Sequence, residues 1–239
     1  MSSRAYACRA ALVNLVFISA ALSASSASAE SRNIAPGFDS LPKSARVVIM
    51  PADLELYSMS AGGVVEPKAD WTEAATRHFT GALTEKKKSL GLASVELNDA
   101  DADELSEVNA LHAAVARAIA LHHFGPSSLH LPTKDGKLDW SLGEAVAPIR
   151  QKTGADYALF SWVRDSYASA ERKAAMVAMA LLGVGLTAGV QVGYASLVDL
   201  RTGRVLWFNR LARGTGDLRE ADTAGETVSA LLEKFPVAK

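Results

Sequence analysis

Hydrophobic and polar positions along this chain change period several times, and each change predicts an element. Arg46 to Pro51 (RVVIMP) is a short β-branched run, read as a first strand buried on both faces by its continuity. Glu55 to Lys68 holds Gly62-Gly63 and Pro67 and reads as a loop with some strand extension. A helix follows, with Trp71, Ala75, His78, Phe79, Ala82 and Leu83 on one face. Asp70 to Glu73 forms a capping-box start and Gly91 the stop. Ala93 to Leu97 (ASVEL) reads as a short strand. Asp101 to Glu104 then opens a second amphipathic helix that buries Leu105, Val108, Val115, Ile119 and His122 and stops at Gly125-Pro126.

The second half carries the stronger strand signals. Ser127 to Trp140 is turn-rich, with Lys134 to Lys137 a hairpin tip. Ser141 to Glu144 is another capping box, opening a helix that Pro148 interrupts and Gly154 ends. Tyr157 to Val163 (YALFSWV) reads as a central strand. Ala174 to Val198 contains no charged residue, and hydropathy alone would offer it as a membrane span. Its inner pattern argues for a strand instead. From Gly183, apolar Val184, Leu186, Ala188, Val190, Val192 and Tyr194 alternate with small or polar neighbours, a period of two. That reading places Val190, Val192 and Tyr194 on one buried face and Gln191 and Gly193 on the other, which tolerates a charge if it meets water, with Ala174 to Leu182 as a short helix. Asp199 to Arg204 is a tight turn with Gly203 left-handed, and Arg204 to Leu211 (RVLWFNRL) returns as a strand. On it Trp207 and Phe208 point to opposite faces. Ala221 to Phe235 closes the chain as a helix ended by Pro236. The element order predicts an α/β (α+β) fold: a mixed β-sheet in two or three layers with packed amphipathic helices, ending in a β-hairpin and a closing helix.

Composition adds an address. Arg4 and Arg9 precede the apolar run Ala11 to Leu22, and Ala27-Ser28-Ala29 supplies an A-x-A site before Glu30. This is the pattern of a bacterial signal peptide over residues 1–29, too short in its apolar part to span a bilayer. Residues 30–45, with two prolines, read as an entry linker, and 46–239 as a single α/β domain. The lone cysteine, Cys8, precedes the apolar run and so cannot be a lipoprotein acylation site. Beyond residue 29 the chain offers no disulfide, thiolate metal site or cysteine nucleophile. Without Arg4 and Arg9, the 25 basic residues fall to 23 against 26 acidic, a formal charge of −3. Nothing there favours nucleic acid.

Two segments resemble a known family. Gly154-Ala155-Asp156 with the aliphatic strand Tyr157–Phe160 is one, and Ala195 to Trp207, containing Asp199-Leu200-Arg201-Thr202-Gly203-Arg204-Val205-Leu206-Trp207, is the other. They resemble the envelope α/β domains of the curli-secretion protein CsgG, the TolB amino-terminal domain and related periplasmic lipoproteins. There a "GAD-aliphatic" strand is followed by a "DxxTGxVLW" hairpin and an amphipathic helix. The resemblance implies a periplasmic, non-enzymatic module that binds an envelope protein partner or self-associates. The lipobox cysteine of that family is missing here. The family's channel branch implies an alternative, an outer-membrane-associated oligomer or pore inserting a strand near 183–194, with membrane contact through 174–198. A hydrolase with an unrecognised site is third.

Candidate chemistry is thin, and we assign no catalytic, cofactor or metal residue. His122, His123 and His130 match no zinc spacing, and His78 and His112 fall near buried helix stripes, where hydrogen-bonded structural roles are the default. Gly183 to Ala188 fits a loose G-x-G-x-x-A dinucleotide pattern but lacks the strand before and the helix after it. Ser127 and Ser128 have no nucleophile elbow around them. Asp99, Asp101, Asp103 and Glu104 suit a helix start, and Lys86 to Lys88 a helix end, through the helix dipole alone; the lysines could also touch anionic lipid headgroups.

Overall fold

A computed structural model of the protein describes residues 32–237. The signal-peptide reading of residues 1–29 lies outside them. The described chain folds as a mixed seven-stranded sheet with helices on both faces, the three-layer form of the expected α/β class.

The sheet is organised around one long strand. Its strands are β1 (Val47–Ile49), β2 (Asp53–Met59), β3 (Val65–Pro67), β4 (Ser94–Val95), β5 (Tyr157–Ala168), β6 (Gln191–Asp199) and β7 (Val205–Arg213). On one side of β5, its first residues pair in parallel with β1 and its last seven with β2. On the other side β5 pairs antiparallel with β6, from Tyr157↔Asp199 to Asp165↔Gln191. β7 pairs antiparallel with β6, and β4 and β3 lie outside β1 and β2. The break between β1 and β2 falls at Pro51, which has no N–H to give a ladder.

The helices are α1 (Ala69–Ser89), α2 (Asp99–Glu104), α3 (Ser106–His122), α4 (Ala147–Thr153), α5 (Ala170–Leu181) and α6 (Ala221–Leu231). One face of the sheet buries Val47, Leu56, Leu159, Val163, Leu197 and Trp207 under Phe79 and Leu83 of α1 and Val228 and Leu231 of α6. The opposite face buries Val48, Met50, Phe160, Val198 and Phe208 under Leu105, Val108, Ala116 and Ile119. Trp207 and Phe208 thus divide between the two cores, as strand alternation requires.

Several local expectations are corrected. Glu55 to Lys68 is not a loop but most of a hairpin, β2 and β3 turning at Gly62-Gly63. The capping box at Asp70–Glu73 does not form. The cap residue is Lys68, and Thr72 Oγ1 instead accepts the Leu56 N–H at 3.0 Å, tying α1 to the sheet. Ser141 Oγ caps only a local turn by accepting from Gly143, and Pro148 opens α4 instead of kinking it, since a first-turn N–H has no helical partner to lose. Asp135 and Gly136 make a left-handed turn with no strands beside it. His122 stands at the edge of the core, while His112 and Ala116 occupy the buried stripe of α3.

The segment read as an entry linker is pinned to the sheet edge. Ala35 donates to Leu206 O at 2.9 Å, Phe208 donates to Asn33 O at 2.9 Å, and Leu41 is buried. This covers the outer edge of β7 along Leu206–Phe208, where open ladder groups would otherwise invite pairing.

The Asp199–Arg204 turn is as expected, and its composition has a reason. Asp199 accepts from the Arg201 N–H (2.8 Å) and the Thr202 hydroxyl (2.9 Å), and Gly203 sits at φ +71°. A Cβ at Gly203 would lie 2.3 Å from Gly143 O, while Gly203 O accepts the Leu142 N–H at 2.8 Å. Gly203→Val should therefore lower stability by more than the roughly 1–3 kcal/mol of backbone strain alone, because the clash adds to it. Urea unfolding monitored by tryptophan fluorescence would show this as a reduced midpoint.

Candidate interaction surface

Sequence alternation predicts one strand from Gly183 to Tyr194, but the strand begins only at Gln191. Residues 182–190 carry no strand, and with α5 they form an excursion between β5 and β6. The crossing where it returns is tight. Ser166 Oγ accepts the Val190 N–H at 3.0 Å, and a Cβ on Gly189 (φ +155°) would lie 1.8 Å from Ser166 O. Past that point no strand runs alongside the returning chain, and alternation alone cannot make a strand without a partner.

The two faces of β6 are also the reverse of the sequence reading. Gln191 is only 2% exposed, while Val190 is 47% exposed and Val192 and Tyr194 are half-buried. Close packing of α6 is the cause: a Cβ on Gly193 would stand 3.1 Å from a Leu231 methyl. The small residues Gly193 and Ala195 thus mark the covered face, and Gln191 joins them there because every polar atom it carries is used. Its amide donates to Asp165 at 2.6 Å, and its carbonyl accepts from Arg213 Nε at 2.8 Å and Thr227 Oγ1 at 3.1 Å.

This polar knot roots the excursion. The Asp165 carboxylate, itself buried, also accepts from the Tyr167 hydroxyl, and that hydroxyl accepts the Leu218 N–H at 2.8 Å. Burial raises the Asp165 carboxyl above its ordinary value, against the opposing hydrogen bonds from Tyr167 and Gln191. Arg219 lies over the Tyr167 ring at 4.0 Å and the Trp71 ring at 4.6 Å, linking α1 to the same root. Beside the knot a small cleft opens between Lys173, Gly189 and Gly216.

A second anchor is Arg172, 7% exposed, the one buried residue of α5. Its guanidinium is held by backbone carbonyls: Nε donates to Thr187 O at 2.9 Å, and NH1 to Ser60 O at 3.3 Å and Ala61 O at 3.4 Å. Ser169 caps the helix by accepting the Arg172 N–H, and its own N–H bonds Met59 O. One cation therefore ties the start of the excursion, its return and the β2–β3 turn together.

Above these anchors the surface is apolar. Leu181 is 85% exposed, Leu182 75% and Val177 66%, with Val184 and Val190 also exposed. Val64 and Val65 are exposed on the β2–β3 hairpin that Arg172 grips. Elsewhere among the described residues the exposed large hydrophobics are single residues on or after α3. Clustered apolar exposure on a firmly rooted element is the mark of a contact surface.

The chemistry weighed from sequence is dispersed. The ring nitrogens of His122, His123 and His130 bond the carbonyls of Leu129, Arg32 and Gly125, and His78 meets Leu218 O. Ser127 and Ser128 lie in a short 3-10 turn, and Gly183 to Ala188 lies in the excursion loop. Asp101 and Glu104 pair with Lys152, and Lys86 to Lys88 close α1. One pair escaped sequence reading. His112 Nε2 lies 2.8 Å from Ser196 Oγ and stacks on Phe160 at 4.5 Å. Both are buried in the core, and burial pushes the His112 imidazole down to about 3. Ser196 is entirely enclosed, which makes the pair a core hydrogen bond without substrate access. Nothing in the one-dimensional spacing joins positions 112 and 196.

No protein-family model matches the chain, and no curated protein matches it. Solved structures with a similar course include the PelC dodecamer from Paraburkholderia phytofirmans (13% identity, TM-score 0.40, covering 84% of this chain and 93% of that one). The LpoB C-terminal domain from Salmonella enterica gives 12% identity and a TM-score of 0.30, covering 75% and 87%. Lipoprotein GNA1162 from Neisseria meningitidis gives 15% and 0.32, covering 80% and 95%. None of these three is CsgG or TolB, and scores this low carry no functional assignment.

Two stability measurements check the site. Gln191→Leu should cost about 2–4 kcal/mol by removing one buried hydrogen-bond partner each from Asp165, Arg213 and Thr227, whereas Val190→Lys should stay within about 0.5 kcal/mol. Urea midpoints would rank the two variants in that order, opposite to the alternation reading.

His112 makes stability pH-dependent. Its folded value, about 3, lies below the unfolded value of roughly 6.5, so the unfolded chain binds more protons between them. The contribution is complete above pH of about 6.5 and is lost as pH falls toward 3, at up to about 1.4 kcal/mol per unit. His112→Gln should flatten the unfolding free energy measured across that window.

Proposed function

We propose that this chain is a non-enzymatic binding and assembly module of the bacterial cell envelope, working in the periplasm through the surface of the Ala170–Val190 excursion. In this reading residues 1–29 are a signal peptide and 46–239 a single α/β domain, with the entry segment as its edge cover. The observation that carries it is the exposed apolar cluster Val177, Leu181, Leu182 and Val184 on an element whose root is tightly hydrogen-bonded. An exposed leucine in a loose loop would cost little to turn inward, but here Arg172 and Gly189 hold the segment outward. The A-x-A leader pattern and the two family-like segments support the address. The enclosure of Ser196 and His112 supports a binding role over hydrolysis. The pore alternative is less favoured, since residues 183–190 would have to leave their present course, with Gly183 and Gly189 at positive φ, to become strand.

Photo-crosslinking in intact cells tests this. A photoreactive side chain at position 181 or 64 should give envelope adducts, and one at exposed Glu85 on α1 should give none. Equal labelling at all three positions, or no adduct at 181 and 64, would sink the proposal.

A further inference from the structure

The apex of the excursion is unusual in having apolar side chains outside and a closed backbone inside. At the end of α5 the Leu182 and Val184 N–H groups both donate to Met179 O (3.0 and 2.9 Å), and the Gly183 N–H donates to Ala180 O (3.0 Å). Gly183 takes φ +76°, the left-handed turn that lets a helix end cap its own carbonyls. The Leu182, Gly183 and Val184 N–H groups are therefore satisfied before the apex meets anything, which lowers the cost of moving it out of bulk water, and an interfacial layer still hydrates its carbonyls.

Shape and charge narrow the occupant. Leu181 and Leu182 are consecutive and 85% and 75% exposed at the end of α5, so a protein partner would need a groove that takes both, whereas acyl chains adapt to any outline. From Ala174 to Val198 the chain carries no charge. The nearest exposed cation before the run is Lys173, which has no ion pair among the described residues. Eight residues separate it from Leu181, about 12 Å along a helix at the usual rise. Its ammonium can therefore stay at headgroup level while the apex reaches the acyl boundary, the ordinary behaviour of a long cationic side chain.

Resting on the binding-module reading, we infer that the excursion docks on the interfacial layer of an anionic phospholipid membrane, entered by Leu181, Leu182 and Val184 with Lys173 at the phosphates. The remaining loop, residues 185–190, stays shallow, because irregular backbone is not tolerated in the hydrocarbon centre. This is peripheral attachment and not a span. No helix among the described residues is long and apolar enough to cross a membrane.

The test is co-flotation of the purified protein with vesicles of phosphatidylethanolamine and phosphatidylglycerol, against phosphatidylcholine alone. The run Ala11–Leu22 would bind lipid if retained, so each measurement compares the protein with variants sharing its amino terminus. The double variant Leu181→Asp, Leu182→Asp should partition at least about tenfold less, and Lys173→Gln a few-fold less on anionic vesicles only. Both should unfold at the parent's urea midpoint, since the changed side chains are exposed. An environment-sensitive fluorophore on Leu182→Cys, in a Cys8→Ser background, should shift to the blue on vesicles, while one on Glu85→Cys should not. Equal flotation of the parent and the double variant would overturn the inference. So would a dimer in sedimentation that the double variant dissolves without any vesicle binding. If flotation fails while position 181 still crosslinks an envelope protein, the lipid inference falls and the binding-module reading stands. Failure of both removes both.

Discussion

The antiparallel pairing of β5 with β6 is the contact on which the rest of this molecule depends. It runs in register from Tyr157↔Asp199 to Asp165↔Gln191, and β5 meanwhile holds β1 and β2 on its other side. A slip of one residue would turn Gln191 and Gly193 to the face away from α6 and put Val192 and Tyr194 beneath it. The polar knot at Asp165 and the close seat of Leu231 would both be lost. Two devices hold the register at opposite ends. The Leu200 N–H, donating to Asp156 O at 2.9 Å, fixes one, and the Ser166–Val190 crossing fixes the other.

Polar groups at the root and apolar groups at the apex exchange the usual positions. Asp165 and Gln191 are inside, and Leu181 and Leu182 are outside. The buried groups are tolerated because each meets a partner within hydrogen-bond distance, and burying an unpaired one would cost far more. Arg172 adds a cation held by carbonyl oxygens, which orients α5. Those buried bonds give the exposed surface its fixed position. A contact surface that does not need ordering on binding loses less conformational entropy when it docks.

Much of the fold was legible from sequence alone. Strand β1, the core of β5, helices α1 and α6, and the Asp199–Gly203 turn follow from apolar period, helix stop signals and turn chemistry acting over a few residues. The division of Trp207 and Phe208 between two cores follows from the alternation of a strand. These are local consequences, and local physics decides them.

Tertiary structure decided what lies between Ala168 and Gln191. Alternation at Gly183–Tyr194 describes which side chains could share a face, but a strand also needs a neighbour for its N–H and C=O groups. That neighbour exists only where β5 still faces β6. The buried side of β6 was settled by how closely α6 approaches, which favours glycine and a fully bonded glutamine over valine. The His112–Ser196 bond and the Arg172 anchor join residues far apart in sequence or bond to backbone, and no periodicity encodes them. The sequence by itself determined the class of fold, its main elements and an uncharged run from Ala174 to Val198. Only the packed structure decided that this run is part exposed helix and loop and part buried strand, because burial and hydrogen-bond pairing are properties of neighbours in space.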